Sequence, residues 1–345
     1  MKTNWGAAFQ IAAVYVGTVV GAGFATGKEI VEFFSRFGFI GLLGILMSGY
    51  ILTFLGSKLM RISASIGANS YQEFNIYLFG SFFGPIINII MLFMLLGVTA
   101  VMLSGAGAIF EEQIGLPKTT GIIVTLALSF IVMIVGIKGL FAVNTVVVPM
   151  MVMFSFLLML LSFSIPGFLE QQLVIPQVED GWKSVIAPFS YTAFNLGLAQ
   201  AVLVPVAAEI KDDQTVKWGG RLGGILLTII LISSHTTLVM LPNLELYEIP
   251  MAVIIKKLAE GLYWLFIFVI YGEVFTSVIG NIFGLERQIH SIYPLRSIIT
   301  FSLIYLITYL ISLIKYGTLL AHLYPIFGYI SIIFIILLWI KPLKN

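Results

Sequence analysis

Ten stretches free of Asp, Glu, Lys and Arg follow one another along the chain: 3–27, 37–57, 82–110, 119–137, 139–169, 184–208, 222–244, 261–285, 297–314 and 316–340, the eighth interrupted only by Glu273. Each is about the length that a helix needs to cross a hydrocarbon core of roughly 30 Å. An open strand edge has no hydrogen-bond partner in lipid, so all ten spans are expected to be helices. The connections are short and leave no room for a separate soluble domain, which makes 1–345 a single transmembrane domain. Lys2 ahead of an apolar run with small residues at Ala22–Ala25 imitates a secretory signal. A Gly-interrupted core, one preceding basic residue and nine further spans favour retention as the first membrane helix.

Composition agrees: 59% of the residues are hydrophobic and 10% charged, the profile of a polytopic membrane protein whose surroundings are the lipid bilayer. A net charge of +2 lacks the electrostatic footprint of a nucleic-acid binder. The absence of cysteine excludes disulfides and thiolate chemistry, and His235, His290 and His322 are too scattered for a metal motif, so no cofactor is expected. With the N-terminus in the cytoplasm, eleven basic residues fall on that side: Lys2, Lys58, Arg61, Lys138, Lys211, Lys217, Arg221, Arg287, Arg296, Lys341 and Lys344. Seven, Lys28, Arg36, Lys118, Lys183, Lys256, Lys257 and Lys315, fall on the other. The excess of basic residues places both termini inside, in a multi-pass protein of the cell membrane.

The polar connection 165–183 divides the spans five and five, and an odd number per half makes the second half cross in the opposite sense, which permits an inverted repeat of about 4–164 and 184–341. An offset of 180 residues pairs Ala7 with Ala187, Phe9 with Phe189, Ala13 with Ala193, Gly17 with Gly197, Glu29 with Glu209 and Ile30 with Ile210, and so directs attention to spans 1 and 6.

Span 1 contains Gly17-Thr18-Val19-Val20-Gly21-Ala22-Gly23-Phe24-Ala25-Thr26-Gly27, and each glycine disfavours helix by about 1 kcal/mol relative to alanine. Unwinding is expected here, with backbone groups freed to meet a ligand. A GxxxG packing contact through Gly17 and Gly21 is the other reading, and both can hold. The run is no nucleotide loop: Thr26 stands where GxGxxG needs its last glycine, and Gly27-Lys28 is followed by Glu29 rather than Ser or Thr. Span 6 carries Tyr191, Asn195, Gly197 and Gln200 between Pro188 and Pro205, and a second interruption is expected there. Asn195 either faces a ligand or bonds a neighbouring helix, and Tyr191 either contacts a ligand or packs. In span 8, helical spacing puts Glu273, Thr276 and Ser277 on one face. A carboxyl at mid-membrane has to be protonated, paired or beside a cation, or else hydrogen-bonded in neutral form to another helix. His235 reads as a packing residue, and Lys211-Asp212-Asp213 as a solvated loop.

On these residues the chain resembles the amino acid, polyamine and organocation transporter superfamily, with the five-plus-five inverted-repeat fold typified by the bacterial leucine transporter. Its N-terminal run resembles the YkvI group of bacterial membrane proteins. Trp5 followed by Gly17, Val20, Gly21 and Gly23 is similar to span 1 of the sodium-symporter branch, Asn195-Leu196-Gly197 to the Ser-Leu-Gly break of its span 6, and Glu273, Thr276 and Ser277 to its span 8. The resemblance implies an all-α membrane fold of about ten helices with spans 1 and 6 broken. It also implies Na+ held by the carbonyls of Gly17, Val20 and Glu273 and the hydroxyls of Thr276 and Ser277, an oxygen-only set that suits a hard cation. The amides around Gly21, Ala22, Gly23 and Phe24 would bind a substrate carboxylate, with Tyr191, Asn195 and Gly197 opposite. Two departures bear on coupling: Phe24 replaces the branch's asparagine at a second sodium site, and the acid at 273 admits H+ as the coupling ion. The expected function is secondary transport of a small organic solute, an amino acid or related amine, coupled to Na+ or H+. The alternative is a ligand-sensing membrane subunit of the same fold that does not transport, similar to the germinant-receptor relatives of the superfamily. One mid-membrane Glu with scattered histidines supplies no nucleophile, base and oxyanion set, so no enzyme is expected.

Overall fold

The computed structural model describes residues 3–210, 212–247, 249–292, 297–314 and 316–343, and these form helices and their connections with no strand among them. The first apolar stretch is three helices rather than one: α1 (Trp5–Val19), α2 (Ala22–Ala25) and α3 (Lys28–Phe33). Then come α4 (Phe39–Ile66), α5 (Tyr71–Ile109), α6 (Lys118–Val135), α7 (Ile137–Ser162), the short α8 (Phe168–Gln172), α9 (Lys183–Ile210), α10 (Asp213–Leu238), α11 (Pro250–Leu258), α12 (Tyr263–Ile292), α13 (Ser297–Ser312) and α14 (Tyr316–Ile340). Seven helices among the described residues are long and apolar enough to cross a membrane, and shorter apolar helices at Trp5–Val19, Ser297–Ser312 and Phe327–Ile340 accompany them. Of the basic residues that set the expected orientation, Lys2, Lys211, Arg296, Lys315 and Lys344 lie outside the described residues.

Local chemistry sets the helix ends. The Asn4 side chain accepts the Ala7 amide at 3.1 Å and starts α1. Asp212 does the same for Thr215 at 3.0 Å and starts α10, so this part of the charged run is a helix cap rather than only a solvated loop. Its neighbour Asp213 makes a two-pronged ion pair with Arg61 of α4 at 2.7 and 3.1 Å. Helix α5 reaches back well before the apolar stretch that begins at 82, because the backbone turns at Gly80 (φ 84, ψ 172) into a helical arm from Tyr71. Only glycine takes that backbone without strain.

The polarity is inverted relative to a water-soluble core. Leu43, Leu46, Tyr50, Phe82, Ile86, Ile89, Phe93, Met153 and Leu160 are exposed, whereas Asn144, Asn195, Gln200, Thr276 and Glu273 are buried. Lipid solvates the first set at no cost, and the second can exist only inside the bundle. Helix α9 is the centre: every residue from Ser190 to Ala208 is buried, and α1, α4, α12 and α14 pack around it. Helix α10 brings four glycines to two neighbours. A Cβ at Gly219 or Gly223 would lie 2.6 Å from Ile11 or Tyr15 of α1, and one at Gly220 or Gly224 would lie 2.6 or 2.4 Å from the Cα of Ser57 or Thr53 of α4. These close approaches lock α1, α4 and α10 into one unit.

The interruption expected in span 6 is absent, since α9 runs unbroken from Lys183 to Ile210 despite Pro188 and Pro205. The Asn195 amide donates to the Tyr191 carbonyl one turn back at 3.0 Å, which satisfies it within the helix. Gly197 is small because α14 is near: a Cβ there would lie 2.8 Å from Ser331 Oγ. The residues that read as a break therefore serve close packing and internal hydrogen bonding.

Gly224→Ala is expected to destabilise the protein by about 1–3 kcal/mol, because the added methyl meets backbone that cannot yield. Gly261→Ala, where a Cβ meets open space, should leave the thermal midpoint of the detergent-purified protein unchanged.

Candidate functional site

Helical geometry ends at Val20 (φ −77, ψ 100), so the last carbonyls of α1 lose their partners along the chain. Helix α12 lies against this point. Thr276 Oγ1 lies 3.1 Å from the Gly17 carbonyl and 2.8 Å from the Glu273 carbonyl. Ser277 Oγ lies 3.1 Å from the Gly17 carbonyl and 2.7 Å from that of Val20. Gly17, Val20, Glu273, Thr276 and Ser277, taken from two segments far apart in the sequence, thus form one buried cluster of oxygens.

Two hydroxyls contribute one hydrogen each. They meet three carbonyl oxygens through four contacts, two of them freed at the end of α1 and the third, that of Glu273, within α12, where the helix itself gives it an amide donor. The Glu273 side chain, on the same α12 face, is fully buried, and neither of its carboxyl oxygens has a hydrogen-bond partner among the described residues. An oxygen-rich pocket of this kind is chemically suited to a hard cation.

The residues expected at a substrate site are distributed more widely. Gly21 lies beside the cluster, where a Cβ would meet Met102 at 2.7 Å and Ser277 Oγ at 3.5 Å. Ala22 opens α2, and its side chain lies outside what the structure describes. Gly23 gives its carbonyl to Thr26 Oγ1 at 3.2 Å, and Phe24 is buried in the core. Tyr191 is buried edge-on to Phe33 and Phe34, with ring centroids 5.4 and 4.9 Å apart and its hydroxyl without a hydrogen-bond partner among the described residues. Gly197 stands apart, turned toward α14.

Glu29 was not among the expected site residues, although it joins this region. It is buried on α3, and its carboxyl accepts the Asn195 amide at 3.5 Å, the contact that links the second half of the broken span to α9. A search for charge-free stretches ends at Lys28 and so passes over it; only its pairing with Glu209 in the 180-residue offset marked it. Above the aromatic residues, a cavity of about 110 Å³ is lined by Phe33, Arg36, Trp182, Ser190, Tyr324 and Gly328, among others. At its rim Asp180 pairs with Arg36 at 3.1 Å and Lys183 at 2.8 Å, and the Lys183 hydrogen bond, with help from Arg36, holds the Asp180 carboxyl below the usual carboxylate range. His235 bonds Ser35 at 3.0 Å, in keeping with a packing role.

A helical bundle with a lipid-facing apolar surface defines a multi-pass membrane protein. Its likeness to solved transporters gives it the leucine-transporter fold, from which the unbroken α9 departs. The chain is similar to the structure of a Na+-coupled sialic acid symporter in a substrate-bound outward-open state, with TM-score 0.67 and 11% identity over 96% of this chain and 73% of that one. It is also similar to a manganese transporter of Eremococcus coleocola, with TM-score 0.60 and 15% identity over 95% of this chain and 76% of that one. No family model matches the chain. It is 50% identical to the membrane protein YkvI of Bacillus subtilis (strain 168) over 336 residues, 97% of this chain and 96% of the relative, and it belongs to the YkvI family of membrane proteins. It is 24% identical to YyaD of the same organism over 99% of its length.

Ser277→Ala removes the hydroxyl shared by Gly17 and Val20 and leaves the Val20 carbonyl without it, while Gly17 keeps Thr276. Measured in a buffer whose only cation is choline, this variant is expected to lose about 1–3 kcal/mol of stability. Ser63→Ala, which removes a hydroxyl bonded to the Leu59 carbonyl of its own helix, should cost less.

Proposed function

We propose that the protein is a secondary transporter of the cell membrane that carries a small organic solute, an amino acid or related amine, coupled to Na+ or H+. The observation that carries this reading is the cluster of main-chain and hydroxyl oxygens that Gly17, Val20, Glu273, Thr276 and Ser277 form at the break of α1. A cation bound there is held by these oxygens. It ties α1 to α12, so its arrival and departure bias how the two helices sit against each other, and a ligand shifts a conformational equilibrium only through such differential contact. The transporter folds among the similar solved structures support the same reading.

The solute site in this proposal lies between the unwound segment Gly21, Ala22, Gly23 and Phe24 and the α9 face bearing Tyr191 and Asn195, with Glu29 opposite Asn195 as partner for a positively charged group. The aromatic edge of Phe33, Phe34 and Tyr191 separates this site from the cavity above it. The halves 4–164 and 184–341 act as the two repeats, both termini are cytoplasmic, and access alternates as one group of helices rocks on the other.

The test is thermal stabilisation of the purified protein by a panel of amino acids and amines in Na+ or K+ at two pH values, since a ligand at a hundredfold its Kd adds about 2.7 kcal/mol. A Na+-dependent shift lost in Ser277→Ala is the expected result. Glu273→Gln is expected to abolish or uncouple solute uptake in vesicles while the variant stays folded, and unchanged Na+ and pH dependence in that variant would remove Glu273 from coupling. Stabilisation by a solute, with no ion dependence and no accumulation in vesicles, would mark a ligand sensor instead.

A further inference from the structure

Helix α7 brings a further oxygen to the edge of the cluster. Asn144 is buried, at 1% exposure. Its amide nitrogen donates to the Leu140 carbonyl at 2.9 Å, and this bond turns the carboxamide oxygen toward α1. That oxygen has no hydrogen-bond partner among the described residues. It fills the place where Gly17 has no side chain: a Cβ on Gly17 would lie 1.8 Å from Asn144 Oδ1 and 3.2 Å from Thr276 Oγ1. The helix register explains the meeting. Gly272 of α12 faces Val147 of α7, and four residues on from Gly272 and three back from Val147 stand Thr276 and Asn144. Gly17 therefore has to be glycine so that oxygens from α7 and α12 can reach the same point on α1.

A buried amide oxygen without a donor is unfavourable, and the Cα–H contact that Gly17 can offer is a weak substitute for a hydrogen bond. The hydroxyl nearest this point, Thr276 Oγ1, and its neighbour Ser277 Oγ are already shared among the Gly17, Val20 and Glu273 carbonyls.

We propose that Asn144 is a cation ligand, adding a neutral oxygen from a third helix to the site built by α1 and α12, and that it sets the affinity of that site. This builds on the cation-site reading above. The ion then joins three helices, α1, α7 and α12, and its departure leaves Asn144 Oδ1 with nothing but the Gly17 Cα–H.

The experiment is the thermal midpoint of the full-length protein titrated with NaCl against a choline chloride background, for the wild type, Ser277→Ala, Asn144→Leu and Asn144→Asp. The wild type should rise with Na+, and Ser277→Ala should lose the response. Asn144→Leu should raise the half-saturating Na+ concentration about tenfold or more, while Asn144→Asp, which keeps an oxygen and adds charge, should lower it about threefold or more. Asn144→Asp keeps the shape of the side chain and decides the matter alone if Asn144→Leu does not fold. Half-saturation within twofold of wild type in Asn144→Asp or in a folded Asn144→Leu, with the Ser277→Ala response lost, overturns the role of Asn144 and leaves the cation site standing; this holds even if the midpoint in choline falls, which marks a packing role. A wild type that does not respond to Na+, or a Ser277→Ala variant that responds as wild type does, overturns the cation site and the role of Asn144 with it.

Discussion

Two hydroxyls on α12 meet the Gly17 and Val20 carbonyls at the point where α1 stops being a helix, and this contact governs the architecture around it. A helix that unwinds inside a membrane has to find partners for its freed carbonyls, and here they come from Thr276 and Ser277, one turn from Glu273. The contact holds only if α1 is pinned with small tolerance. The α10 glycines supply that constraint: Gly219 and Gly223 admit Ile11 and Tyr15 of α1, and the Tyr15 hydroxyl reaches across to the Leu52 carbonyl of α4 at 2.9 Å. Close packing at one end of α1 thus makes the irregular backbone at the other end reproducible.

The continuous α9 gives the same site its opposite wall. A helix buried on all sides from Ser190 to Ala208 cannot tilt without disturbing α1, α4, α12 and α14. Polar contacts fasten the segment beyond the break to it. The Glu29–Asn195 hydrogen bond ties α3 to α9 inside the bundle, and the Asp180 ion pairs tie the end of this segment to the start of α9 at the rim. The inner contact is buried and long, at 3.5 Å, whereas the outer one is shorter and meets water.

Helix existence was legible in the sequence because charge-free length is a direct physical requirement of the bilayer, and every long apolar stretch after the first overlaps one of the helices of the structure. The break in α1 was legible too, since Gly17, Gly21, Gly23 and Gly27 together weigh against a regular helix. The same reasoning fails for α9, where Asn195 and Gly197 have the composition of an interruption but satisfy themselves through Tyr191 and Ser331. Composition cannot separate a glycine that unwinds a helix from one that lets a neighbour approach. Glu29 escaped because charge is read as the end of a span, and the arm from Tyr71 because its turn depends on one residue, Gly80. Helical spacing alone puts Glu273, Thr276 and Ser277 on one face, whereas which α1 carbonyls they meet came from the superfamily resemblance and not from the pattern.

The central claim is that a cation at the α1–α12 cluster governs the conformation around the cavity on the far side of Phe33 and Tyr191. The chain has no cysteine of its own, so a single Ser190→Cys substitution on the cavity wall reports without background. The measurement is its rate of labelling by a membrane-impermeant thiol reagent in vesicles, in Na+ or in K+ at matched ionic strength, with and without the additional Ser277→Ala change. The account predicts a several-fold change in rate between Na+ and K+ that disappears when Ser277 is lost. Equal rates in the two salts at every pH, with the site reactive and the protein folded, would contradict it.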